Sequence, residues 1–369
     1  MAKGAYIGVN GVARKIKGGY IGVDGVARKI KKAYIGIGGV ARPCWAGGEL
    51  TYYGTATELS AARYWLAATT VGNHALFGGG MTSSNSSVVD AYDKSLTRTT
   101  PTALSVARYD LSATTIGNHA LFGGGRTSSK KISVVDAYDH SLTRTTPTEL
   151  STATQWLAAT TVDNYALFGG GYASSISSVV YAYDKSLTRT TPTALSVARY
   201  YLSATTIGNY ALFGGGTASS NSSVVDAYDK SLTRTTPTAL SIARKELSAT
   251  TVGNHALFGG GNGGSTRLDI YDLSLTRTYS SNYWSRYRCA ATTVGNYALF
   301  GGGYGATSGG SPSAKSYVDA YDQSLTRIIK YSLSVARYDL SATTIGNHAL
   351  FGGGRTSSNS SVVDVFTIA

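Results

Sequence analysis

Four histidines occupy one position of a recurring unit, His74, His119, His255 and His348, and equivalent imidazoles in a ring are one way to hold a metal ion. The other copies place Tyr165, Tyr210 and Tyr297 there, so the position asks for a flat ring with a polar tip, not for a ligand. His140 replaces a turn lysine, Lys94, and reads as exposed. The two cysteines, Cys44 and Cys289, form neither a CxxC pair nor a disulfide framework. Cys289 aligns with Leu66, Leu111 and Leu202, which makes it a buried apolar residue. "FGGGR" offers glycines that could cradle a phosphate, yet no Gly-Lys-Ser/Thr follows and no helix is signalled. Those glycines are read instead as places where neighbouring backbones come close. No metal, cofactor or catalytic constellation emerges, and the chain is expected not to be an enzyme.

A different chemistry recurs at seven junctions: Tyr64-Trp65, Tyr109-Asp110, Gln155-Trp156, Tyr200-Tyr201, Lys245-Glu246, Tyr287-Arg288 and Tyr338-Asp339. Aromatic rings beside short hydroxyl and amide loops suit sugars, which stack their apolar faces on rings and hydrogen-bond through hydroxyls. The candidate ligand-binding residues are Tyr64, Trp65, Tyr109, Trp156, Tyr200, Tyr201, Tyr287, Arg288 and Tyr338. Neutral drift in exposed loops would also vary these positions, because tight turns on the opposite face tolerate fewer residue types. The "LTR" arginines (Arg98, Arg144, Arg189, Arg234, Arg277, Arg327) read as charges that keep an outer strand from pairing, or as a belt for an acidic partner.

These residues must be carried by a repeat. "ALFGGG" occurs seven times, at Phe77, Phe122, Phe168, Phe213, Phe258, Phe300 and Phe351, at intervals of 45, 46, 45, 45, 42 and 51 residues. Each unit reads as four strands: a, "LSATTI"; b, "HALFGG", after a Gly-Asn turn; c, "SVVDAY"; and d, "LTRTT", after "DKS". A Pro follows strand d at Pro101, Pro147, Pro192 and Pro237, where no ladder bond is needed. Seven such units predict an all-β, seven-bladed propeller. Only six "SLTR" strands follow the seven a-b-c sets, so "LTYYGT" at residues 50–55 is expected to supply strand d of the last blade, leaving no half-built edge. Strand alternation places the constant a-b and c-d turns on one face and the variable b-c loops and d-a junctions on the other.

The units resemble the kelch family. Gly78-Gly79 ends strand b, Tyr92-Asp93 ends strand c, and Arg108 precedes the next strand a, as kelch units place them. The family's strand-d Trp is Leu96, Leu142, Leu187, Leu232, Leu275 and Leu325 here, which departs from animal kelch adaptors while still filling an inter-blade gap. The Tyr, His and Cys set of a copper-radical oxidase is not assembled, nor are the SxDxGxTW turns of a sialidase. The resemblance covers about residues 49–369 and implies a seven-bladed kelch-like propeller over 46–369, with 46–57 supplying the closing strand.

Residues 1–45 hold a second repeat of period 14: "AYIGVNGVARKIKG", "GYIGVDGVARKIKK", "AYIGIGGVARPCW". Asn10-Gly11, Asp24-Gly25 and Gly38-Gly39 sit between short alternating runs, a hairpin signal. Of the net charge of +13, residues 1–44 carry +8, from nine Lys/Arg against Asp24, and the other 325 residues share +5. Electrostatic partners therefore belong to this basic hairpin segment. The repeats resemble N-terminal segments of structural proteins of phages, prophages and phage-derived particles. That resemblance implies anchoring to other virion proteins through Tyr6, Arg14, Lys15, Tyr20, Arg28, Lys29, Tyr34 and Arg42. It also implies a place on a virion or particle surface, after synthesis in the bacterial cytoplasm without a signal peptide and without membrane insertion. The function expected is display of the propeller to bind a host-surface glycan or protein. Alternatives are a purely structural decoration protein and an intracellular scaffold whose basic N-terminus contacts nucleic acid.

Overall fold

The computed structural model describes residues 48–368 except 264–265, 282–284 and 307–309, together with the backbone of six strands between Tyr6 and Ala46. Those strands form three antiparallel hairpins, Tyr6–Val9 with Val12–Lys15, Tyr20–Val23 with Val26–Lys29, and Lys32–Ile37 with Val40–Ala46. Val9 faces Val12, Val23 faces Val26 and Ile37 faces Val40, the register of two-residue loops at the expected positions. Met1–Thr51 with Ile368–Ala369 form one compact unit and Tyr52–Thr367 a second.

Seven antiparallel sheets of four strands follow one another, each in the order a-b-c-d. In the second blade they are Ser112–Ile116, His119–Gly123, Val135–Asp139 and Arg144–Thr145. The a strands touch in a closed circle around the axis, the first blade (Ala67–Val71) meeting both the second and the seventh (Ser341–Ile345). The seventh sheet takes strands b and c from His348–Gly352 and Val363–Ile368 and its fourth from Leu50–Thr55. The array thus begins with the strand that completes its end. Tyr52 stands where the other blades have the "LTR" arginine, and its hydroxyl donates to Asp364 at 2.7 Å.

Strands b and c are buried on both faces, although only strand b reads as an apolar run. Phe122 is fully buried against the glycine that ends strand b of the previous blade; a Cβ on Gly78 would meet its ring at 2.7 Å. The same glycine–phenylalanine contact closes the circle between Gly352 and Phe77. Each such phenylalanine contributes about 1.5–3 kcal/mol of burial to a seam between blades. Tyr92, Tyr138, Tyr183, Tyr228 and Tyr271 tie the seams from outside, each donating its hydroxyl to a threonine carbonyl that follows the preceding strand d.

Around the axis, two threonines per blade bond in closed circuits. Seven hydroxyl pairs, Thr69–Thr115 through Thr343–Thr70, lie at 2.7–2.9 Å. The second threonine of each blade also donates to the backbone carbonyl of its counterpart in the blade before, as Thr161 does to Thr115 at 2.5 Å. The "ATT" of strand a is therefore a seam device of its own.

Two expectations are corrected. Strand d is shorter than "LTRTT" in the first four blades, and in the six blades that carry the motif Leu96 and its equivalents lie before the strand, in the c-d turn, with φ of +61° to +65°. Asp93 organises that turn, accepting bonds from Ser95 N–H, Ser95 hydroxyl and Thr97 N–H at 2.6–2.9 Å, while Leu96 is buried among residues of blades one and seven. The "LTR" arginines are neither an edge guard nor an open belt. Arg98 bonds the fully buried Asp90 at 2.8 Å, and Arg144, Arg234, Arg277 and Arg327 bond Asp136, Asp226, Asp269 and Asp319 likewise. The same aspartates hold a second, fully buried arginine from the junction: Arg63, Arg108, Arg199, Arg244 and Arg286, with Arg337 on Asp364 in the last blade. Strand period two hid this, because the aspartate in "SVVDAY" reads as the solvent face of a half-buried strand.

Candidate functional site

The junction tetrapeptide places four consecutive residues in four environments. Arg63 is fully buried on Asp90 and on the Phe77 carbonyl, which fixes the chain direction. Tyr64 pairs backbone to backbone with Met81, just past the glycine triplet, at 3.1 and 2.8 Å. Trp65 turns to the axis with φ +55°, and Leu66 dips beneath it into the core. All seven blades repeat the backbone course, with Thr154 in place of the arginine in the third and Cys289 in place of the leucine in the sixth. Trp65, Asp110, Trp156, Tyr201, Glu246, Arg288 and Asp339 all have φ of +55° to +57°. Each N–H donates to the carbonyl of its counterpart in the preceding blade, at 2.9–3.2 Å, and the seven bonds close on themselves.

That ring surrounds a cavity of about 280 Å³ whose floor is Leu66, Leu111, Leu157, Leu202, Leu247, Cys289 and Leu340. The left-handed backbone costs a non-glycine residue roughly 1–2 kcal/mol, yet no ring position is glycine. At the c-d turn the same strain has a packing reason, the burial of Leu96. At the mouth the strained side chains line a cavity, the circumstance in which strain points to function.

Around the ring the chemistry is uneven. Trp65 stacks on Tyr109 at 5.5 Å and 18°, and Trp156 on Tyr200 at 5.5 Å and 28°, with Tyr201 4.6 Å and Tyr172 6.1 Å from Trp156. Opposite lies a charged arc. Arg288 binds Glu246 at 2.7 Å and reaches Asp339 at 3.8 Å. Arg355 binds Asp339 at 2.9 Å and lies over Trp65, Tyr64 and Tyr338 at 4.3–4.9 Å. Asp110 stands apart, between the two tryptophans in ring order, with no ion pair among the described residues. Burial pushes its carboxyl up to about 7; the Trp156 side-chain donor, Arg126 and Arg288 pull the other way, and the Asp339 charge adds to the rise. Asp339 is also raised by burial, against the pull of Arg288 and Arg355.

Of the sequence candidates, Trp65, Trp156, Tyr201 and Arg288 line the cavity. Tyr64, Tyr109, Tyr200, Tyr287 and Tyr338 form an outer circle, each bridged to the residue after a glycine triplet. Asp110, Glu246 and Asp339 were missed as site residues, as were Tyr172, Tyr304 and Arg355. The signal for the first three was available, since they hold the second junction position. For the last three it was the residue just past each "GGG". The side chains of Tyr6, Arg14, Lys15, Tyr20, Arg28, Lys29, Tyr34 and Arg42 lie outside the described residues; Tyr6 pairs with Lys15 and Tyr20 with Lys29 along the backbone. His74, His119, His255 and His348 begin the b strands, where His348 meets Tyr53 edge-on at 5.8 Å. Among the described residues no three His, Cys, Asp or Glu side chains converge to hold a metal.

The fold and site define a seven-bladed β-propeller with one decorated axial mouth. Among solved structures, the one described as "Structure of YjhT" is similar, with 12% identity, a TM-score of 0.56, and coverage of 85% of this chain and 99% of that one. At that identity the likeness concerns the fold. No protein-family model matches the chain, and no curated protein sequence matches it.

Proposed function

We propose that the chain is a non-enzymatic binding protein whose axial mouth takes a saccharide, carried by a phage or phage-derived particle so that the mouth meets a host surface. The observation that carries the binding reading is the pair of tryptophan stacks, on Tyr109 and Tyr200, flanked by carboxyl and guanidinium groups over an apolar floor. A sugar ring needs apolar stacking and polar groups at its edge, and a cavity of about 280 Å³ is at the small end of ligand sites, near one ring in size. The Gly-Gly, Tyr-Asp and Arg positions support a kelch-like origin for the propeller. The "YIGVNGVARK" repeats support the particle, and their basic hairpins the anchoring role.

The test is a glycan array with the intact chain, followed by host-cell adsorption with Trp65→Ala, Trp156→Ala and Tyr200→Ala. Binding and adsorption should both fall at least about tenfold while melting and particle incorporation persist. Unchanged adsorption would leave the propeller as a structural decoration and overturn the receptor reading.

A further inference from the structure

The mouth carries three carboxylates, Asp110, Glu246 and Asp339, against two guanidiniums, Arg288 and Arg355. Both guanidiniums are engaged on the Glu246–Asp339 side. The surplus negative charge therefore sits at Asp110. Arg126, whose charge acts on Asp110, lies over the Tyr109 ring at 5.4 Å and forms no ion pair with Asp110 among the described residues. Asp110 instead has Trp65 and Trp156 as its ring neighbours, their main chains bonded to its own. A carboxylate that draws the Trp156 side-chain donor and stands over an apolar floor keeps a charge that neutral hydroxyls do not balance. An ammonium group matches it by charge and by donating hydrogen bonds to it.

We infer that the axial mouth selects saccharides carrying a free amine, with the ammonium seated against Asp110 between Trp65 and Trp156 and the sugar ring lying on the tryptophan–tyrosine stacks. This rests on the saccharide reading and deepens it. The opposite arc, already neutralised by its own pairs, takes uncharged hydroxyls.

The experiment uses the whole chain and the fluorescence of the mouth tryptophans. The probes are kanamycin, an amino-sugar oligosaccharide; its fully N-acetylated form, which keeps the rings and removes the charge; and tetramethylammonium as a bare cation. They are titrated at pH 7.5 into the unsubstituted protein, Asp110→Asn and Asp110→Ser, each first shown by circular dichroism to be folded. The expected result is at least about tenfold tighter binding of kanamycin than of its acetylated form, with both variants losing that difference through weaker binding of kanamycin. Equal binding of the two sugars, unmoved by either variant, overturns the amine inference and leaves the saccharide reading in place. Binding of tetramethylammonium alone, dependent on Asp110, keeps the cation seat and overturns the saccharide reading. Absence of binding by all three overturns both.

Discussion

At the residue scale, the third blade departs most informatively from the rest. Where six blades pair a buried arginine with a buried aspartate, it has Thr154 and Tyr181, changed together. Arg189, which would have bonded the aspartate, lies over the Tyr181 ring at 5.5 Å. A buried ion pair adds little net stability, but leaving one partner behind is costly, which explains a joint change. Transplanting it should show this: Arg199→Thr or Asp226→Tyr alone should each cost about 3–5 kcal/mol. The double variant should cost less than either single, measured as a double-mutant cycle in urea; additive losses would mean the slots are not coupled. Asp110 supplies a second prediction. Its carboxyl is pushed up to about 7 from the ordinary 3.8, so the folded state holds the proton more tightly and stability is lost as pH rises from about 4 to 7. Besides Trp156, the groups that act on it are Asp339, Arg126 and Arg288, and Tyr201 lies close enough to feel its charge. Asp110→Asn should therefore melt with the parent at pH 4 and above it at pH 8. A gap of the same size at both pH values would show that the carboxyl does not titrate in that window. None of this was legible as pairing in the sequence, although each partner was visible as a repeated letter, because contacts between junction and strand c depend on which face of the sheet is covered.

At the scale of the element, the four-strand unit could be read directly. Alternating Thr and Val, the Gly-Asn turn and the glycine ending strand b each have a local cause. Strand d was drawn too long, since "LTRTT" has strand-forming residues throughout while the Asp93 side chain gathers Ser95 and Thr97 into a turn. The closing strand was correctly placed because counting strands requires only that no edge remain open. Its register has a chemical signature too: Tyr52 takes the "LTR" position, bonds Asp364, and is itself pushed up to about 12 by burial and by that carboxylate. Deleting residues 50–55 would remove that bond and expose the outer edge of Val363–Ile368 to other chains. The expected outcome is loss of a single cooperative melting transition and aggregation on heating, followed by calorimetry and light scattering. An unchanged melting temperature would refute closure by this strand.

For the whole molecule, seven near-copies converge on one axis, so small per-blade features become rings. The circular arrangement follows from the repeat count and period, and the sequence carried both. The rings themselves did not follow, because a residue's neighbour around the axis lies some 45 positions away and makes contact only after closure. That is why the junction aromatics could be listed beforehand while the carboxylates among them were passed over as variation. The circuit of seven peptide hydrogen bonds at the mouth has one more implication. The main-chain bonds there do not depend on side-chain identity, provided the residue keeps its N–H and tolerates the left-handed backbone. Exchange at any one of the seven sites for such a residue keeps those bonds, so the chemistry of the mouth could be changed by single codon changes in a lineage, or by randomising those seven codons in a selection library.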